Sequence, residues 1–159
     1  MSPDAQPRQD LGSFTLVETE GAERSWKLEG ETALFYEEDS TTIISGVRLT
    51  LFENDSPSSL LTSDSGEAAD AGRTIRAWDG VRVESVEGRI LETPELLWIE
   101  SLSVFQTDCT AVLTIPDSAG VSVMTGRGIV IGQDLGASSE VEVRESFTAV
   151  YSGEVPVEE

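Results

Sequence analysis

The sequence predicts an all-β protein, a sandwich, roll or barrel, and three observations carry that prediction. Val, Ile and Thr supply 37 of the 159 residues, whereas lysine occurs once and alanine 11 times. β-Branched side chains suit a pleated, half-buried surface better than a helix. Apolar and polar residues alternate in many short runs, the period-two mark of strands with one wet face. Turn residues interrupt those runs at short, fairly regular intervals.

Taken along the chain, a first strand is expected near Phe14 to Val17. Thr41 to Ile44 is β-branched, and Val47-Arg48-Leu49-Thr50-Leu51 puts three apolar residues on one face. Glu53 to Pro57 reads as a loop, and Glu67 to Ala71 has room for a short helical turn. Val81-Arg82-Val83-Glu84 repeats the alternation after Asp79-Gly80, a tight turn or bulge. Residues 95–115 lack Gly and could hold a helix, with Trp98, Leu102 and Phe105 as its stripe. The β-branched set Ile99, Val104, Thr107, Thr110, Val112, Thr114 and Ile115 favours two strands instead. Turns or bulges follow at Ser118-Ala119-Gly120 and Gly126-Arg127-Gly128, among the alternating runs Val121-Ser122-Val123, Ile129-Val130-Ile131, Val141-Glu142-Val143 and Phe147 to Tyr151. The polar, Pro-containing start and acidic end read as tails. The expected organisation is a flexible tail over 1–10, one domain over 11–152 and an acidic tail over 153–159.

Composition excludes several functions. With 30 acids, 10 bases and a net charge of −20, the chain has no basic footprint for a nucleic-acid backbone. Histidine is absent, which removes His-based acid–base and triad chemistry and the usual zinc and haem sites. Cys109 is the single cysteine, so no intrachain disulfide forms, and its β-rich surroundings suggest a small buried apolar residue. Neither acidic cluster, Glu37-Glu38-Asp39 or Asp64 to Asp70, has the spacing of a calcium loop, and no metal or other cofactor is expected. No apolar run approaches a membrane span, and no signal peptide is visible. The acids offer many pairs for glycoside hydrolysis, but nothing singles one out. Trp26, Trp78 and Trp98 suit core or strand-face packing better than sugar stacking.

A repeat bears on architecture. Gly46-Val47-Arg48 and Gly80-Val81-Arg82 lie 34 residues apart, each after β-branched residues, and Gly126-Arg127-Gly128 is a looser variant. Glycine before an outward arginine fits a bulge or bend, and repeated units suggest a stack in which each covers its neighbour.

Three stretches carry a family resemblance. Trp26-Lys27-Leu28-Glu29-Gly30 through Ala33-Leu34-Phe35-Tyr36, ending at Leu51-Phe52, looks like an opening strand pair. Leu61-Thr62-Ser63-Asp64, then Gly80-Val81-Arg82-Val83, then Gly88-Arg89-Ile90-Leu91-Glu92-Thr93-Pro94-Glu95-Leu96 is the most specific. Thr125-Gly126-Arg127-Gly128-Ile129 resembles a late turn. In this order they resemble the LptC family of lipopolysaccharide export, together with LptA and related OstA-like domains, over residues 13–152. The resemblance implies an open β-jellyroll of two antiparallel sheets, V-shaped in section, with an apolar interior. It implies a non-enzymatic periplasmic component, anchored to the inner membrane in the full-length protein. Such a component takes lipopolysaccharide from an inner-membrane ABC transporter of the Lpt type and passes it to an LptA-like protein by strand addition. The family's N-terminal membrane helix is not recognisable in this sequence, and the acidity is unusual for it.

On that resemblance, alternation nominates Leu49, Leu51, Val81, Val83, Leu97, Ile129 and Ile131 as an acyl-chain lining. The same pattern is what an ordinary sandwich core would show. The partner edges are expected at the first strand, with Phe14 and Leu16, and at the last, with Val143, Phe147 and Ala149. Two other readings stay open: a β-sandwich binding or structural module without lipid, and a carbohydrate-active jelly-roll enzyme using two carboxylates.

Overall fold

The computed structural model describes residues 9–10, 12–135 and 141–153, without the side chains at 9–10, 117 and 145–153. The strands are β1 (Gln9–Asp10), β2 (Phe14–Glu20), β3 (Glu23–Gly30), β4 (Thr32–Tyr36), β5 (Thr41–Glu53), β6 (Ser56–Ala69), β7 (Thr74–Ser85), β8 (Ile90–Ile99), β9 (Val104–Asp117), β10 (Gly120–Gly132) and β11 (Val141–Gly153). All pair antiparallel in one sheet, in chain order from β5 to β11, an up-and-down meander. At the other end β3 and β4 lie end to end along β5, with Glu31 between them donating its N–H to the Ser45 carbonyl at 2.9 Å. Beyond them, β2 pairs with β3 and β1 with β4. The two expected sheets are therefore one sheet folded over, and it does not close, because among the described residues β11 pairs only with β10.

The fold-over happens along a line of mid-strand irregularities. Register slips between Thr62 and Ser65, Trp78 and Val81, Glu92 and Leu97, Arg127 and Ile129, and Thr125 and Arg127. In β5 the matching point is Gly46, at φ 70°, opposite the break between β3 and β4. A bulge bends its strand and adds a residue to the alternation. In β5 the inward residue before the corner is Ile44 and those after it are Val47, Leu49 and Leu51; in β6 Leu61 and Ser63 are followed by Gly66 and Ala68. The slip thus lets both halves of a bent strand turn their apolar side toward the same interior. The Gly-Val-Arg repeat marks this corner: Val47 and Val81 turn inward, Arg48 and Arg82 outward.

We call the half containing β2 and β3 the front layer and the half containing β1 and β4 the back layer. Front-layer Trp26, Leu28, Leu49, Leu61, Val83 and Leu113 meet back-layer Ile44, Ile75, Trp98, Phe105 and Ile131 in a single core. Trp26 and Trp98 join the layers edge to face, their centroids 5.9 Å apart. Burying one Leu, Ile or Phe is worth about 1.5–3 kcal/mol, so this inner face dominates stability. On the outside of the front layer, Arg48 pairs with Glu29 at 3.7 Å and Arg82 with Glu92 at 3.4 Å. Exposed pairs of this kind contribute roughly 0–1 kcal/mol each.

Three local expectations are corrected. The helical turn expected over 67–71 is a 3₁₀ turn at Asp70–Gly72, because Ala68 and Ala69 stay paired with Ile75 and Thr74. Val121 and Val123 share the outer face with Pro116 and Thr114, while Met124 packs on the core; the register slip at Arg127 then brings Ile129 and Ile131 inward. Gln9 and Asp10, expected in the N-terminal tail, pair with Phe35 and Leu34. Residues 95–115 hold two strands, the ends of β8 and β9, joined by a 3₁₀ turn at Glu100–Leu102. The remainder of both expected tails lies outside the described residues, save Gly153 at the end of β11.

Candidate functional site

Six of the seven nominated lining residues, Leu49, Leu51, Val81, Val83, Ile129 and Ile131, lie on the inner face at 0–2% exposure. Leu97 does not. Leu91 and Thr93 point inward, the slip at Pro94–Glu95 rephases β8, and Leu96 and Trp98 become the inward pair. Leu97 is left half-buried on the outer face beside Arg76 and Gln106. The lining is packed against its own opposite wall, so in this conformation the trough is filled by the protein itself.

Both terminal strands have one neighbour among the described residues. On β2, Phe14 packs partly on the core opposite Gly30, whereas Leu16 and Val17 are 40% and 44% exposed. On β11, Val143 is half-buried opposite Ile129; the side chains of Phe147 and Ala149 are outside the described residues, though Ala149 sits in register with Met124.

The open side of the V is where the strand ends of the two layers face each other. The front rim is built from the turns after β2, β5 and β7, the back rim from those after β6, β8 and β10. Polar ties cross between them. Arg73 of the back rim reaches Glu18 of β2 at 3.7 Å and its rim neighbour Glu100 at 3.9 Å, and Arg89 of the front rim donates from Nη1 to the Leu135 carbonyl at 3.1 Å. Gly72 lies so close over Trp26 that a Cβ there would come within 2.6 Å of Cη2.

Three clefts line this mouth. The first, of about 450 Å³, is bordered by Glu20, Glu23, Arg24, Trp26, Trp98 and Glu100. The second, of about 540 Å³, has Glu53, Leu102, Ile131 and Glu142, and the third, of about 280 Å³, has Glu53, Pro57, Val86 and Glu87. Leu102 and Val86, 63% and 70% exposed, put apolar surface on opposite rims. Arg24 is engaged: its backbone N–H and Nε donate to Asp55 Oδ1 at 3.0 and 2.9 Å, and its guanidinium lies 4.3 Å over Phe52. Those bonds hold the Asp55 carboxyl below its usual range. The Nε1 groups of Trp26 and Trp98 are buried with no hydrogen-bond partner among the described residues.

On the outer face, a cleft of about 190 Å³ contains Arg76, Glu95, Leu97, Cys109 and Arg144. Cys109 is half-buried there rather than in the core, its N–H bonded to Thr107 Oγ1 at the β9 corner. Arg76 lies 4.9 Å over Trp78, and hydrogen bonds to Glu95 and Glu67 raise its pKa further. Among the described residues no three His, Cys, Asp or Glu side chains are grouped to hold a metal ion, and no helix is long and apolar enough to cross a membrane. Sequence reasoning missed the tryptophan pair and the mouth. Trp26 opens the alternation Trp26-Lys27-Leu28 and Trp98 sits inside the apolar run Leu96 to Ile99, but nothing in the chain says that they meet.

A protein-family model described as LptC, lipopolysaccharide-assembly, LptC-related, matches residues 13–133, the stretch from β2 to just past β10. No curated protein matches the chain.

Proposed function

Because the chain belongs to the lipopolysaccharide-assembly, LptC-related family, we propose that it is a non-enzymatic lipid-transfer component of the periplasm. In this reading it takes lipopolysaccharide acyl chains between its layers and hands them along a bridge of like-folded domains. Membership in the family carries the coarser statement, a component of lipopolysaccharide transport. The finer mechanism is supported by one observation: an apolar inner wall runs the width of a sheet whose end strands, among the described residues, each keep one unpaired side. Added strands there would extend the wall into a neighbour, since β-augmentation uses the free backbone groups of an edge. The partners are an inner-membrane ABC transporter of the Lpt type on one side and an LptA-like protein on the other, with the full-length protein anchored in the inner membrane.

A guest requires the layers to part. Wall-to-guest contacts then replace wall-to-wall contacts, and each buried CH₂ of the guest adds about 0.8 kcal/mol. The rim ties that must break are the Arg73–Glu18 ion pair, worth roughly 0–1 kcal/mol, and the part-buried hydrogen bond from Arg89 to the Leu135 carbonyl, worth about 1.5–3 kcal/mol. A photoreactive residue at Val83 or Leu51 is expected to crosslink lipopolysaccharide, while one at the outward Glu84 is not. Equal crosslinking at all three, or none at the inner pair, would leave a closed β module without lipid, the reading that the filled interior favours.

A further inference from the structure

We propose that the wall just inside the mouth recognises the carbonyl at the root of an acyl chain, and so takes ester- or amide-linked tails in preference to ether-linked ones. The donors are the Trp26 and Trp98 indole N–H groups and the Ser59 hydroxyl. The inference rests on the lipid reading above and adds which atoms of the lipid the wall reads.

Polar atoms of buried side chains are normally paired. Among the described residues, three such atoms have no partner: Trp26 Nε1, Ser59 Oγ and Trp98 Nε1. Their residues are only 1%, 3% and 1% exposed, so water does not stand in for the missing partner. The three are not scattered. Trp26 pairs in register with Leu51, and Leu51 with Ser59, which makes one row across the front layer at its rim end. Trp98 meets Trp26 from the back layer, edge to face at 5.9 Å. Both tryptophans line the cleft of about 450 Å³ at the mouth. Two residues deeper, roughly 6–7 Å along the strands, the next row of the front layer is Leu28, Leu49, Leu61 and Val83, all apolar and all buried.

Donors at the rim and hydrocarbon below is the order in which an acyl chain enters tail first. The tail needs only apolar wall, whereas its carbonyl oxygen needs a donor. An indole N–H can only donate, and a serine hydroxyl can donate as well as accept. With the layers together both indole donors are unmet, a cost that a bond to a guest removes. Parting the layers leaves one indole on each wall at the depth of the linkage. A carbonyl there is a strong acceptor, and an ether oxygen is a weaker one. The sugar and phosphate groups of a lipopolysaccharide head then stay outside the donor row, and the recognition does not depend on their charge.

The test compares myristoyl lysophosphatidylcholine with its tetradecyl ether analogue, which shares its head group, charge and chain length. Both are titrated into the full chain by calorimetry, below their micelle concentrations. The ester is expected to bind about tenfold more tightly. In proton–nitrogen correlation spectra, with indole signals assigned through W26F and W98F, the Trp26 and Trp98 indole protons are expected to move downfield with the ester and not with the ether. In W26F/W98F the affinity ratio is expected to fall toward one. Should that variant not fold, benzothienylalanine at both positions keeps the ring shape and removes the N–H. A ratio near one in the parent protein, a ratio unmoved by loss of both N–H groups, or indole protons unmoved by bound ester overturns the carbonyl recognition and leaves lipid carriage standing. Binding of neither lipid overturns both.

Discussion

At the scale of single residues, face decides consequence. Leu49 is wholly buried, so Leu49→Ala removes apolar contacts and leaves a cavity in a wall with no slack; it is expected to cost about 2–5 kcal/mol in urea unfolding. Leu97→Ala, on the half-buried outer face, is expected to cost well under half as much. A comparable loss at both positions would mean that the β8 corner does not rephase the strand. Asp55 supplies a pH-dependent contribution. Its carboxyl is held below the ordinary value of 3.8 by the Arg24 backbone and side-chain bonds. A depressed folded-state pKa stabilises above the unfolded value and loses that contribution as pH falls through the folded one. Asp55→Asn should therefore lower the melting temperature at pH 7, with the difference from the parent shrinking as pH falls below 3.8. A gap that stays constant with pH would remove the electrostatic account.

At the scale of elements, the corner line makes a two-layer roll from long strands. Gly46 turns β5 at φ 70°, and an added Cβ would lie 2.5 Å from Glu31 Cγ. Glu31 can swing away, so the lasting penalty is the left-handed backbone, about 1–2 kcal/mol for an L-residue. Gly46→Ala is expected to destabilise by that amount, and Gly46→Asn by less, because asparagine tolerates the left-handed region. Equal losses would point to the Glu31 contact instead. Alternation along each half-strand was legible in the sequence, and so were the two Gly-Val-Arg corners. The rephasing of β8 was not, since Leu96-Leu97 gives two adjacent leucines and only the pairing to β7 and β9 says which one turns inward.

At the scale of the whole molecule, charge and openness act together. A net charge of −20 on 159 residues keeps exposed edges from pairing at random while straining the folded state through self-repulsion. Exposed charges are screened beyond roughly 3 Å in 1 M salt, against about 10 Å at 0.1 M. The melting temperature is therefore expected to rise between 0.1 and 1 M sodium chloride, the two concentrations just compared. A fall would show that the surface ion pairs outweigh the repulsion.

The sequence by itself determined the strand character, the apolar face of most half-strands, the exclusion of histidine chemistry and the likeness to one family, because these depend on residue type and local order. The tertiary structure decided which leucine of a pair faces in, that Trp26 and Trp98 meet, that the trough is filled at rest, and that the mouth is ringed with carboxylates. Each of these needs residues distant in the chain to be brought together, and the mid-strand register slips along β6 to β11, invisible to a period-two reading, set where they meet.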